Sequence, residues 1–188
     1  MTLSAPASRQ PIHIRRIECR GFRRDDGLWD IEGHLIDTRT HDLDLRAESR
    51  IVPAGEPIHA MWVRLTVDDT LTVRAIEAAT DATPTRICPG AVAPMQSLVG
   101  LRIAPGWTNA VKQRLGGALG CTHLMELMWP IATTAYQTVS GSRMDRMLAP
   151  VAPGGQRPAK IDSCWAYAAE RDVVKQFWPE FHRGEPSA

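Results

Sequence analysis

Apolar and β-branched side chains alternate with polar ones from Ile12 to Cys19 and again from Leu28 to Asp37. That is the period of two shown by a strand with one buried face. In the second run Trp29, Ile31 and Leu35 share a face, and Asp30, Glu32 and His34 share the other. Between the runs lies Arg23-Arg24-Asp25-Asp26-Gly27, whose Asp-Gly step is a strong tight-turn signal, so the pair predicts a β-hairpin. Residues 39–55 are polar and end in Pro53-Ala54-Gly55, which predicts a loop, with a short edge strand through Arg46 to Val52. Alternation resumes in Ile58–Val67 and Leu71–Ile76, separated by Asp68-Asp69-Thr70, a second hairpin. Pro84, Pro89, Gly90 and Pro94 then break any regular pattern.

The period changes after Trp107. Val111, Leu115 and Leu119 recur every four residues, which fits a helix stopped by Gly116, Gly117 and Gly120. A longer helix follows, with Thr122 as its N-cap and Leu124, Leu127, Met128, Ile131 and Ala135 as the stripe that docks on the sheet. Pro130 is expected to kink it. Residues 143–160 read as loop, and a last helix is predicted from Ser163 to Phe177, before Pro179. Strands followed by helices define an α+β class: an antiparallel sheet from the N-terminal half packed against helices from the C-terminal half. Residues 1–11, rich in Ser, Ala and Pro, read as a disordered tail, and 12–188 as a single α+β domain.

Composition narrows the function. Lys and Arg (22) nearly balance Asp and Glu (21), so no field favours nucleic acid or an anionic membrane, and neither partner is expected. Nothing resembles a signal peptide or an apolar span, which predicts a soluble, cytoplasmic protein. Cys19, Cys88, Cys121 and Cys164 form no C-x-x-C pair, so reduced thiols are expected. A homo-oligomer is left open.

The candidate chemistry centres on Gly120-Cys121-Thr122-His123-Leu124-Met125-Glu126-Leu127, where His123 and Glu126 share a helix face and Cys121 precedes the helix. His59 joins them, because Pro57, His59, Met61, Val63, Leu65 and Val67 form one strand face that is otherwise apolar, and a histidine there needs a partner. Three chemistries compete. Acid and base work by His59, His123 and Glu126 on a small organic substrate demands least and no cofactor. A Cys121 nucleophile activated by histidine would make a hydrolase or thioesterase. A metal held by His59, His123, Glu126 and Cys121 has suitable ligand types but no standard spacing. Each histidine and Glu126 also has a purely structural reading of comparable weight, and a buried cysteine is more often just a small hydrophobe.

Arg23, Arg24 and Asp30 crowd the first hairpin, where an Arg oriented by Asp30 could hold a phenolate or carboxylate. Solvated turn charges are the plainer reading. Trp62 and Tyr136 could wall an aromatic ring, as could Trp29, Trp107 and Trp129, although such residues more often build core.

Four stretches carry a family resemblance: Arg23-Arg24-Asp25-Asp26-Gly27-Leu28-Trp29-Asp30, Gly55-Glu56-Pro57-Ile58-His59-Ala60-Met61-Trp62, Gly120 to Leu127, and Ile161-Asp162-Ser163-Cys164. Through them, and over nearly the whole chain, it resembles a bacterial domain-of-unknown-function family, DUF2889. The resemblance implies a stand-alone cytoplasmic protein associated with breakdown of aromatic, including lignin-derived, compounds, and it transfers no catalytic residues. Together the two lines suggest a cofactor-independent lyase that releases formaldehyde from a phenolic dimer such as a phenylcoumaran. In that scheme His59 or His123 is the base, Glu126 the acid, and Arg23, Arg24, Asp30, Trp62 and Tyr136 the substrate contacts. A non-catalytic aromatic-ligand binding or assembly protein is the remaining alternative.

Overall fold

The computed structural model of the chain describes residues 3–141, 148–152 and 154–184. Its strands are β1 (His13–Arg23), β2 (Trp29–Arg39), β3 (Leu43–Leu45), β4 (Arg50–Val52), β5 (Pro57–Val67) and β6 (Val73–Ala82). The α-helices are α1 (Trp107–Leu115), α2 (Thr122–Gly141) and α3 (Asp172–Phe177). Four strands form one antiparallel sheet in the order β1-β2-β5-β6, and β3 pairs with β4 in a small separate ribbon. This is the α+β arrangement expected, with α1 and α2 packed against the sheet.

The chain divides into two compact units, Met1–Val139 and Ser140–Ala188. In the first, the inner sheet face is built from Ile31 and Leu35 of β2 and from Met61, Val63 and Leu65 of β5. Against it pack Val111 and Leu115 of α1 and Leu124, Leu127, Met128 and Ile131 of α2. The second has its own cluster of Ile161, Ala169, Val174 and Trp178, whose indole Nε1 donates to Ala149 O at 3.3 Å.

Two glycines decide how closely α2 approaches. A Cβ on Gly33 of β2 would lie 2.6 Å from Ile131 Cδ1, and one on Gly21 of β1 would lie 1.9 Å from Thr138 Oγ1. The helix therefore runs obliquely, with Ile131 over β2 and Thr138 over β1, its backbone drawn onto the sheet where side chains are missing. Its N-terminal turn is left over the opposite end of the inner face.

Several boundaries differ from expectation. Strand β6 runs to Ala82 rather than Ile76, because pairing with β5 carries the weak strand formers Glu77 to Ala82 along. Helix α1 ends at Leu115, and Gly116 is extended there, since a Cβ would meet Lys112 O at 2.4 Å; Gly117–Leu119 form a 3₁₀ turn. Thr122 is the first helical residue rather than the cap, and Cys121 O accepts the first bond from Met125 N–H at 2.9 Å. Pro130 sits inside α2, which runs as one helix from Thr122 to Gly141. The proline-rich stretch 84–94 includes part of an eleven-residue 3₁₀ segment, Cys88–Leu98, that buries Met95 and Leu98. The last helix is only Asp172–Phe177, and Trp165–Tyr167 form a 3₁₀ turn before it. There Asp162 Oδ1 accepts from Ala169 N–H at 2.9 Å, a turn that replaces the helical start predicted at Ser163. Residues 3–11 hold no helix or strand, as do 148–152 and 154–160, while 142–147 and 153 of the predicted loop lie outside the described residues. Among the described residues no helix is long and apolar enough to cross a membrane.

Candidate functional site

On β2 and β5 the inner face is apolar from Trp29 and Val67 as far as Leu35 and Met61, and the next row turns polar. Register places Ile17, Leu35 and Met61 side by side on β1, β2 and β5, and the next inner row, two residues along, is Arg15, Asp37 and His59. A strand's period of two puts Asp37 on the same face as Leu35 and Ile31, so its carboxylate points toward the helices instead of solvent, and its side chain is only 2% exposed. A buried carboxylate must be paired. Arg15 supplies the pairing as a fork, Nε donating to Oδ1 and Nη2 to Oδ2, both at 2.7 Å.

Two imidazoles complete the surroundings of Asp37 Oδ2. His59 Nδ1 lies 3.1 Å from it, and His123 Nε2, brought by the first turn of α2, lies 3.7 Å from it. The two rings pack on one another with centroids 3.8 Å apart and planes tilted by 33°. His13 Nε2 reaches Asp37 Oδ1 at 3.0 Å from the outer end of β1. Both His59 and His123 are partly buried, with side chains 14% and 23% exposed.

The charges follow from this packing. Burial alone would raise the Asp37 carboxyl, but the Arg15 hydrogen bonds and charge, with His13 behind them, outweigh it and hold the group below the ordinary carboxylate range. Burial and the neighbouring His123 push His59 below the usual imidazole value against the pull of Asp37. Burial and the Arg15 charge do the same to His123. Near neutral pH the arrangement is therefore one anionic carboxylate, one guanidinium and two neutral imidazoles, each able to accept a proton.

Glu126 stands one turn further along α2 and meets the cluster through Arg15, whose Nη1 donates to Oε2 at 2.5 Å. Its side chain is 45% exposed, so it sits at the rim. Cys121 Sγ lies 3.9 Å from His123 Nδ1, on the side of the ring away from Asp37.

The structure thus brings His59, His123, Glu126 and Cys121 into one neighbourhood. It does not bring the proposed substrate contacts there. Arg23 lies at the far end of β1, roughly 26 Å along the strand from Arg15 at about 3.3 Å per residue, with its guanidinium 5.8 Å from the Trp29 ring. Arg24 follows it in the turn and is paired to Asp26 and Asp30. Asp30, which also accepts from Thr66 Oγ1 at 2.7 Å, and Trp62 lie on the opposite, outer sheet face. There the Trp62 ring stacks on His34 at 3.6 Å and its Nε1 donates to Asp81 Oδ2. Tyr136 is on the exposed side of α2, and Trp29 and Trp107 belong to the core.

Sequence reasoning missed Asp37, Arg15 and His13. The signal was present, since Asp37 continues the 29-31-33-35 face and Arg15 precedes Ile17 by two. Its meaning needed the register between strands.

An α+β protein with a histidine pair and an arginine-clamped aspartate enclosed between sheet and helix is the class that fold and site define. The chain belongs to the family described as protein of unknown function DUF2889, whose model matches residues 13–137. The match spans the four-stranded sheet and the whole polar cluster, and it ends before the Ile161–Cys164 stretch. No curated protein and no solved structure matches the chain.

Proposed function

We propose that the chain is an enzyme performing acid and base chemistry on a small phenolic substrate, as a lyase that releases formaldehyde from a hydroxymethyl side chain. The observation that carries this reading is the pair of packed imidazoles on one buried, arginine-held carboxylate. A proton can be taken by one ring and given by the other while Asp37 offsets the positive charge between the two events.

The reaction suits that equipment. One imidazole removes the hydroxyl proton as the carbon–oxygen double bond of formaldehyde forms and the adjoining carbon–carbon bond breaks. The electron pair released makes a carbon–carbon double bond and expels the neighbouring ether oxygen as phenolate. That oxygen takes back one proton from an imidazolium. Nothing is oxidised or reduced overall, so no redox cofactor is required. Arg15 replaces Arg23 and Arg24 as the cation positioned to serve this centre, with Glu126 as its rim partner. The aromatic class of substrate rests on the family resemblance.

The test is incubation of the protein with a panel of phenolic dimers, phenylcoumarans included, with formaldehyde as the readout. His59→Ala and His123→Ala are each expected to lose about 10²–10⁴-fold in turnover. No formaldehyde from any compound, or folded variants as fast as wild type, overturns the reading.

A second reading has its own observation: Cys121, His123 and Asp37 form a chain in the order of a thiol, its base and that base's orienting carboxylate. Both links are longer than an ordinary hydrogen bond between such groups, which places it behind the imidazole pair. Thioester or ester hydrolysis abolished by alkylating Cys121 would put it ahead.

A further inference from the structure

We infer that Asp37 Oδ2, His59 Nδ1 and His123 Nε2 form a three-ligand site for a divalent first-row transition ion, with zinc as the natural probe, and that such an ion inhibits the chemistry proposed above. Three side chains that each offer one ligand atom, all within 4.8 Å of one another, come from two strands and a helix. Tetrahedral ligands at the usual zinc distances of about 2.0–2.1 Å stand about 3.3 Å apart. The two separations from Asp37 Oδ2, 3.1 Å to His59 and 3.7 Å to His123, bracket that value. Two imidazoles and one carboxylate favour zinc over magnesium or calcium, which prefer oxygen alone.

The ligand set differs from the one that the sequence suggested. Glu126 faces Arg15 rather than the imidazoles, and Cys121 lies against His123 Nδ1, the nitrogen turned from the site. Asp37 takes the place of both. Three ligands leave a coordination position open for water or substrate, the pattern of an accessible site rather than a closed structural one.

Arg15 sets the strength of binding. Its guanidinium already engages both oxygens of Asp37, so a cation must share Oδ2 with a neighbouring positive charge. Removing that charge should tighten binding, whereas removing an imidazole should weaken it. Inhibition follows because a metal on His59 Nδ1 and His123 Nε2 makes the remaining nitrogen of each ring a poor proton acceptor and occupies the Asp37 oxygen that would offset an imidazolium, and this half of the inference rests on the acid/base reading.

The experiment uses the tag-free full chain, stripped with a chelator and dialysed against a slight excess of zinc chloride. One zinc per chain is expected for wild type and for Cys121→Ser, less than a tenth of that for the His59→Gln/His123→Gln double variant, and at least several-fold tighter binding for Arg15→Gln. Cobalt(II) in place of zinc gives visible absorption bands that should vanish in His123→Gln, a readout that reports ligation rather than folding. Sub-stoichiometric uptake by wild type, equal uptake by the double variant, or uptake lost with Cys121→Ser overturns the site. Formaldehyde release is then compared with and without one equivalent of zinc. Inhibition supports the competition, and activation overturns it. No release under either condition removes the lyase reading but leaves the zinc site standing, because binding is measured without substrate.

Discussion

Strand β2 carries two carboxylates that are each held by an arginine from the neighbouring strand, and they live in different worlds. Glu32 lies opposite Arg64 on β5, which donates to Oε1 through Nε at 2.9 Å and Nη2 at 2.7 Å. Asp37 lies opposite Arg15 on β1 with bonds just as short. Glu32 is 27% exposed on the outer face, and Asp37 is 2% exposed beneath α2. Both are carboxylate–arginine pairs across neighbouring strands; Arg64 puts both donors on one oxygen and Arg15 forks onto two, and the parity of the position along the strand sends them to opposite faces. An even position meets water, which screens the pair and makes its partners replaceable. An odd one meets two imidazoles and apolar side chains, where an unpaired charge has nowhere to go. Asp37 and the two imidazoles beside it are largely withdrawn from water and held in place, which the proposed chemistry would use.

The largest effect expected from breaking this comparison is at Asp37. Asp37→Ala should cost about 3 kcal/mol in denaturant unfolding, since it strips partners from Arg15, His13 and His59 at once. Next comes Gly33→Ala, which leaves the charges untouched but puts a methyl against Ile131 and should cost about 1–3 kcal/mol. Because His123 rides on the same helix, that substitution should also slow formaldehyde release, which a packing defect remote from the site would not do.

A third carboxylate sharpens the contrast through pH. Asp68, in the turn between β5 and β6, is pushed down to about 2: burial raises it, but bonds from Thr70, Thr72 and Arg74 prevail. With its folded value below the ordinary 3.8, it contributes stability that is fully present above pH 3.8 and lost as pH falls to about 2. Asp68→Asn should therefore melt below wild type at neutral pH, with the gap closing across that acid window in thermal scans. The smallest effect is at Glu32, where Glu32→Ala should cost less than about 1 kcal/mol and shrink further in high salt. Equal costs at Glu32 and Asp37 would erase the distinction between the two faces.

How much of this was legible beforehand follows the range of the interactions. His59 stood out locally, as the one polar side chain on the face of Met61, Val63 and Leu65, and the α2 stripe was readable from Leu124 to Ala135. Asp37 looked like the polar end of a strand, because nothing within β2 says that His59 lies opposite it. Arg15 drew no notice for the same reason. Arg23, Arg24 and Trp62 attracted attention by residue type alone, and the pleat sends them to another end or another face. The C-terminal helix was overestimated because Ala-rich residues 166–169 favour helix locally, whereas Asp162 holds that stretch in a turn.

The claim on which everything rests is that one carboxylate, Asp37, gathers His59 and His123 into a unit. Long-range proton–nitrogen NMR of the six imidazoles in wild type and Asp37→Asn tests it most directly. His13, His59 and His123 should move together while His34, His41 and His182 stay in place. A folded Asp37→Asn protein in which the His59 and His123 resonances keep their wild-type positions would contradict it.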